Sequence, residues 1–403
     1  MKITGYRSLT THHEWGRVVG DVNGVSSGTR TRVDVLILTT DSGLEGVGLG
    51  AHPGIERLMP VIGGADPRAV VQLYDQMLAT TFKLGHIGAT FGTIGTIDFA
   101  LWDLKAKMAG EPLWRLLGAG DRYVPGYASG LDYGLPDDDL VSLHTLFAER
   151  GFTSAKLKGG RHVPDDVRRL GLIRDVLKNN SAAPGLMLDA NESWNRSQAV
   201  RHIQRLEAEF DLTWVEEPVR RWDALGHASI RQHIRAGVAS GENLTGLEQL
   251  RVLIEADAID IAQIGSAWGI THFLRAAHFA HAHDLPVSPV GYTAVLAPAA
   301  GAVPNFLAAE VQDLSHPRGV LVDQRIEHGG IVLGDEPGLG FAVDDAALEP
   351  LAQDLGWAAG SGPHARPSRA GLRLVPEEDA HAASDPAVSM LRPHGSDRPA
   401  THT

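Results

Sequence analysis

Between Val124 and Val311 the chain repeats one unit: a short apolar stretch ending in polar residues, followed by an amphipathic stretch. The apolar stretches are VPGYAS from Val124, SAKLKGG from Ser154, GLMLDAN from Gly185, TWVEEPV from Thr213, GVASGEN from Gly237, AIDIAQIG from Ala258, LPVSPVG from Leu285 and FLAAEV from Phe306. They recur at intervals of roughly 20 to 30 residues. Between them the pattern predicts helices such as Asp165–Leu177, capped by Asp165 or Pro164, and Ser197–Phe210, with Val200, Ile203, Leu206 and Phe210 on one face. Short apolar strands alternating with helices build parallel sheets, and eight of them close into a barrel, whose usual length is about 250 residues. A doubly wound open sheet is the rival, but neither GxGxxG nor a P-loop follows an early strand.

Ahead of this region, RVDVLILTT alternates, turns at DSG and returns as LEGVGLG, a β-hairpin. Ile94, Ile97, Leu101, Leu104 and Met108 then fall at helical spacing, and the pattern stops at Gly110 with Pro112 just beyond. This predicts an α+β domain over residues 1–120 and the barrel over 121–330. Residues 331–357 are expected to pack back on the first domain, and residues 358–403, rich in Ala, Ser, Pro, Gly and His, read as a disordered tail.

The run Leu285–Ala309 carries no charge, yet Pro286, Pro289, Pro298 and Pro304 exclude a spanning helix. A net charge of -13 with no basic cluster argues against a nucleic-acid surface. With no cysteine, disulfides and thiolate chemistry are excluded. The opening MKITGYRSLTTHHEW has no apolar export segment, so a cytoplasmic location is expected.

Polar residues at the C-terminal ends of barrel strands are active-site groups, because the interior layers prefer branched apolar side chains. Lys156 and Lys158 stand two apart and so share one strand face. Asp189 and Asn191, Glu216 and Glu217, and Glu242 and Asn243 end the next three stretches. From Lys158 to Asp189 to Glu216 to Glu242 the separations are 31, 27 and 26 residues, one barrel unit each. Any one acid alone would be read as a helix cap or an arginine partner. Three on adjacent strands repel one another and protonate unless a cation holds them, and an all-oxygen set suits Mg²⁺. Adjacent strand residues face opposite sides, so spacing leaves open which of Glu216 and Glu217 points inward.

KLK, LDAN, WVEEP, SGEN and WGIT, in this order, with TTDSGLEGVGLG and IDFALWDLKAKMAGEPLWRLLG before them, resemble the enolase superfamily in its mandelate racemase and muconate lactonizing branches. The likeness runs from about Met1 to Asp345. It implies an α/β fold, a (β/α)7β modified TIM barrel under an N-terminal α+β capping domain, with a mobile lid at Thr11–Ser27. It also implies Asp189, Glu216 and Glu242 as Mg²⁺ ligands, and Lys158 as the general base. Lys156, its neighbour, would polarise the substrate carboxylate and keep Lys158 neutral by mutual repulsion. Asn191 and Asn243 match positions that orient ligands, and Glu310 in LAAEV matches an acid that hydrogen-bonds the substrate carboxylate.

The departures matter as much. Where the racemase branch has an Asp on the sixth strand, this chain has Gln263, and where it has a His on the seventh, Val290. The sixth-strand Lys of the lactonizing branch is replaced by Ser266. No ionisable base is therefore expected opposite Lys158, which argues against two-base racemisation. Tyr292 is read as a weak acid or a packing aromatic, and His12, His13 and Trp15 as lid contacts to the distal part of a substrate or as exposed loop residues. The expected activity is Mg²⁺-dependent dehydration of a sugar acid or related hydroxy acid. The alternatives are a cycloisomerase, racemase or epimerase, a barrel that binds an acid without turnover, and a Schiff-base aldolase using Lys158. The expected partner is a small-molecule carboxylate, with neither nucleic acid nor membrane, and the expected assembly a homo-oligomer, dimer or octamer.

Overall fold

The computed structural model describes residues 1–26, 28–83, 85 and 87–351, and the expected tail at 358–403 lies outside them. The first domain runs through β1 (Ile3–Glu14), the small hairpin β2 (Gly20–Asp21) and β3 (Gly24–Val25), β4 (Arg30–Thr40) and β5 (Glu45–Leu49). The helices α1 (Ile55–Ile62), α2 (Val70–Thr81), α3 (Ala89–Ala109) and α4 (Leu113–Leu116) follow. Strands β1, β4 and β5 form an antiparallel sheet; Leu36 and Leu38 of β4, opposite Gly48 and Gly46 of β5, are buried on its α3 face, and Val35 and Ile37 are buried on the other. The approach is close: a Cβ on Gly46 or Gly48 would come within 2.2 Å of the α3 carbonyls of Ala100 and Thr96. The alternating glycines of LEGVGLG are the sequence signature of that contact.

One expectation is corrected here. Thr11 to Glu14, read from sequence as part of the lid, belong to β1 and pair with Arg30 to Val33 of β4. Thr11 and His13 are buried while His12 and Glu14 are exposed, a period-2 alternation carried entirely by polar residues. Hydrophobic periodicity cannot see such a strand.

The barrel strands are β6 (Tyr123–Ala128), β7 (Ser154–Lys158), β8 (Gly185–Asp189), β9 (Leu212–Glu216), β10 (Gly237–Ser240), β11 (Ile261–Gly265), β12 (Val287–Val290) and β13 (Ala309–Val311). Neighbours pair in parallel from β6 to β12, and β13 returns to pair in parallel with β6. A parallel bridge between Val287 and Phe306 joins β12 to the approach of β13 and closes the ring. Seven helices fill the connections: α5 (Asp137–Glu149), α6 (Val163–Leu177), α7 (Arg196–Glu207), α8 (Ala224–Arg231), α9 (Leu247–Glu255), α10 (Gly269–His281) and α11 (Ala297–Ala300). The result is the (β/α)7β barrel. Two helix starts differ from the sequence reading. His162 stands at the N-cap position of α6 without a side-chain capping bond, with Pro164 and Asp165 inside the first turn, and Asn195 caps α7 in a capping box with Gln198.

Inside the ring, Tyr127, Met187, Trp214, Ala239 and Ile261 form a small apolar floor. After β13, β14 (Val320–Val322) and β17 (Phe341–Val343) pair with each other, and β15 (Gln324–Glu327) and β16 (Gly330–Leu333) form a hairpin that joins β6. β18 (Glu349–Pro350) then pairs with β1. Among the described residues no helix is long and apolar enough to cross a membrane.

The first domain is fastened to the barrel through Thr271 at the start of α10. Its N–H and Oγ1 donate to the carboxylate of Asp98 on α3 at 2.7 and 2.6 Å, and its Oγ1 accepts from Trp102 Nε1 at 3.0 Å. Burial pushes Asp98 up to about 7, against the pull of the Thr271 donors. The folded protein therefore holds a proton that an unfolded aspartate, with its pKa near ~3.9, loses first. This group's contribution to stability thus falls as pH rises through that window. In urea unfolding, Asp98→Asn should gain stability relative to the wild-type protein between pH 5 and pH 8. A difference that does not move with pH would show that Asp98 stays ionised throughout.

Candidate active site

The strand ends bring six of the eight site residues expected from sequence into one buried cluster. Lys156 Nζ lies 2.7 Å from Glu216 Oε2, 2.9 Å from Glu310 Oε1 and 3.6 Å from Asp189 Oδ2. Lys158 Nζ donates to the same Asp189 Oδ2 at 2.5 Å. Below, Lys156 stands over the Tyr127 ring, 5.4 Å from its centroid. Asp189, Glu216 and the half-buried Glu242 each offer an oxygen within 4.8 Å of the others. Among the described residues the buried Glu216 Oε1 accepts no hydrogen bond. A charged oxygen left unpaired indoors is costly, and three convergent carboxylates fit a hard divalent cation.

The charges point the same way. Four carboxylates share this space with two ammonium groups, a shortfall of two positive charges, which is the charge of one such cation. Burial and the Asp189 charge push Glu216 up to about 8, and burial also raises Glu242. Burial acts on Asp189 and Glu310 in the same direction, yet the two lysines hold both below the usual carboxylate range. Burial alone would lower the lysines, but the carboxylates keep both above their ordinary value. The mutual depression expected from sequence is thus outweighed by the carboxylates, the Asp189 charge on Lys158 above all.

Backbone geometry settles Glu216 against Glu217. Seven non-glycine residues among those described have left-handed φ, and four of them follow barrel strands at the mouth: Leu131, Asn191, Glu192 and Glu217. Such backbone is uncommon and concentrates at functional sites. The turn at Glu217, φ 42°, leaves Glu216 on Lys156 and gives Glu217 Oε1 to Asn243 Nδ2 at 3.0 Å. Asn243 therefore holds Glu217 rather than a member of the triad, a correction to its expected role. Asn191 reaches the triad through its backbone, its N–H donating to Asp189 Oδ1 at 2.8 Å.

Glu310 is fixed by donors on three sides: Ser129 Oγ at 2.7 Å, Gly291 N–H at 2.7 Å and Gln312 Nε2 at 3.0 Å. Asp132 was missed from sequence. It is fully buried, accepts from the Lys158 N–H at 3.0 Å through Oδ1, and pairs with His144 Nε2 at 3.0 Å through Oδ2. It stands just past β6, where the rule used for the next four strands would have flagged it. The β2–β3 hairpin packs against the same place: Gly20 N–H donates to Leu131 O at 2.9 Å, and Asn23 Nδ2 to Asn191 O at 3.1 Å.

The wall across the barrel is different. Gln263 and Val290 are fully buried, and Ser288 Oγ donates to Ala308 O at 2.7 Å. Tyr292 is bonded through its hydroxyl to His316 Nδ1 at 3.1 Å, and burial raises its pKa, which makes it a poorer acid. His13 pairs with Asp313 at 2.6 Å, and Trp15 Nε1 donates to Thr31 Oγ1 at 2.8 Å. With Tyr292 they line a rim cavity of about 40 Å³, whereas His12 is exposed on β1. A larger cavity, about 610 Å³, lies between the first domain and the C-terminal strands, lined by Arg7, Glu45, Lys107 and Asp345 and by none of the clustered lysines and carboxylates.

Comparison with known proteins agrees with this geometry. Residues 140–347 match the family model described as enolase C-terminal domain-like, and residues 19–118 match that of the mandelate racemase/muconate lactonizing enzyme N-terminal domain. The chain is 31% identical over 334 residues to the L-talarate/galactarate dehydratase of Salmonella typhimurium, covering 79% of this chain and 82% of that one. It is 32% identical over 295 residues to the 3,6-anhydro-alpha-L-galactonate cycloisomerase of Streptomyces coelicolor, covering 72% and 80%. The crystal structure of L-talarate dehydratase from Polaromonas sp. JS666 complexed with Mg and L-glucarate superposes with a TM-score of 0.75 at 27% identity, covering 86% of this chain and 96% of that one. The chain belongs to the mandelate racemase/muconate lactonizing enzyme family of the enolase superfamily.

Proposed function

We propose that the protein is a Mg²⁺-dependent hydro-lyase that removes water from a sugar acid or a related hydroxy acid. One observation carries the reading: two buried lysines and four carboxylates occupy one side of the barrel mouth, and the opposite wall offers Gln263 and Val290 in place of an acid–base pair. Asp189, Glu216 and Glu242 would hold Mg²⁺, which supplies positive charge that acidifies the proton α to a carboxylate and draws the Asp189 charge away from Lys158. Lys158 Nζ, poised at the mouth, accepts the α-proton. Lys156, held in place by Glu310 at 2.9 Å, orients the substrate carboxylate. The protonated Lys158 then gives its proton to the β-hydroxyl, which leaves as water, and the resulting enol becomes a keto acid. A single base completes this cycle, so an acid across the barrel is not required.

The similarity to a cycloisomerase favours isomerisation as the second reading. Turnover in D₂O separates the two, since dehydration gives a keto acid and isomerisation a product of unchanged mass apart from deuterium. The proposed enzyme acts in the cytoplasm as a homo-oligomer. The apolar side chains of Trp222 and Leu225, 70% and 71% exposed, support an interface between copies, which light scattering tests.

Lys158→Ala should lower turnover in a keto-acid assay by roughly a thousandfold. Mg²⁺ binding in calorimetry should be retained, and an active Lys158→Ala protein would end the assignment of the base. Glu216 must lose its proton to hold a cation, so Mg²⁺ affinity should rise between pH 6 and about 8, with proton release on binding. Affinity independent of pH across that range would show that Glu216 is already ionised before the cation binds.

A further inference from the structure

The side chain of Gln263 has no counterpart in the chemistry above. It is fully buried, and among the described residues neither Oε1 nor Nε2 has a hydrogen-bond partner. Buried amides are nearly always satisfied, and one left with donor and acceptor both idle destabilises the fold it sits in. Its place says where a partner would come from. Ile261, two residues earlier on β11, belongs to the apolar floor of the barrel, so Gln263 projects inward one step nearer the mouth. In the ring of eight strands β11 is four strands from β7, diametrically across from Lys156 and Lys158. Its neighbours there, the bonded Ser288 and the apolar Val290, compete for neither end of the amide.

We infer that Gln263 recognises the substrate, by hydrogen bonds to hydroxyl groups on the carbons beyond the reacting pair. This deepens the proposed function and rests on it. A second carboxylate would use only the amide donor and leave Oε1 idle. Adjacent hydroxyls use both ends, one accepting from Nε2 and the other donating to Oε1. The residue is thereby a determinant of specificity for polyhydroxylated acids over deoxy acids of the same length, since a site built to bond a hydroxyl rejects the analogue that lacks it.

The test uses the full chain with Mg²⁺ in two measurements, on the wild-type protein, Gln263→Leu and Gln263→Met. Calorimetry compares galactarate and galactonate with adipate and hexanoate, their counterparts without hydroxyls, and urea unfolding gives stability without ligand. Both variants should unfold at or above the wild-type midpoint while losing about tenfold or more in affinity for the hydroxy acids, with binding of the deoxy acids unchanged. Variants that keep the wild-type affinity for the hydroxy acids would overturn the inference alone. So would variants that unfold earlier and lose affinity for all four acids equally, because Gln263 would then be structural. If the wild-type protein binds no acid of a library of aldonic and aldaric acids in the presence of Mg²⁺, the proposed function fails and this inference falls with it.

Discussion

Everything at the mouth of the barrel depends on one shared oxygen. Asp189 Oδ2 lies 2.5 Å from Lys158 Nζ and 3.6 Å from Lys156 Nζ, and the same side chain belongs to the carboxylate triad. In the proposed function the base and the cation site are thus wired through one carboxylate. Whatever withdraws negative charge from Asp189 frees Lys158 from its partner and leaves the repulsion of Lys156 to act on it. Cation binding and base strength are therefore coupled by position.

With four carboxylates against two ammonium groups, the ion pairs of the cluster do not balance its charge, and the scaffold fixes its members in place. Asp132 grips the backbone of Lys158, Ser129 and Gly291 grip Glu310, and left-handed backbone at Asn191 and Glu217 aims the ends of β8 and β9. Rigid strands carry the reacting groups, and strained turns directly after them set their direction.

Much of this was legible in the sequence, and the limits have physical causes. Barrel period and polar strand ends located the lysines and the triad, because hydrophobic burial sets the period and the chemistry interrupts it. The choice of Glu216 over Glu217 was not legible, since it turns on one φ angle that alternation cannot encode. Asn243 was misassigned for the same reason: its partner is fixed by where that turn sends Glu217. The polar strand at Thr11–Glu14 looked like a loop because its burial is achieved by threonine and histidine. Asp132 was visible in principle, as an acid just past a barrel strand. Its bond to a backbone N–H at the end of the neighbouring strand was not.

The two-residue strand β18 carries a consequence for how the molecule is made. It adds to the edge of the first domain's sheet, Leu9 facing Pro350, so that sheet joins the earliest and nearly the last of the described residues. During synthesis the N-terminal unit emerges first but acquires its fourth strand only after the entire barrel has left the ribosome. The domain made first is the one finished last, and completion of the barrel is what returns the missing edge to it.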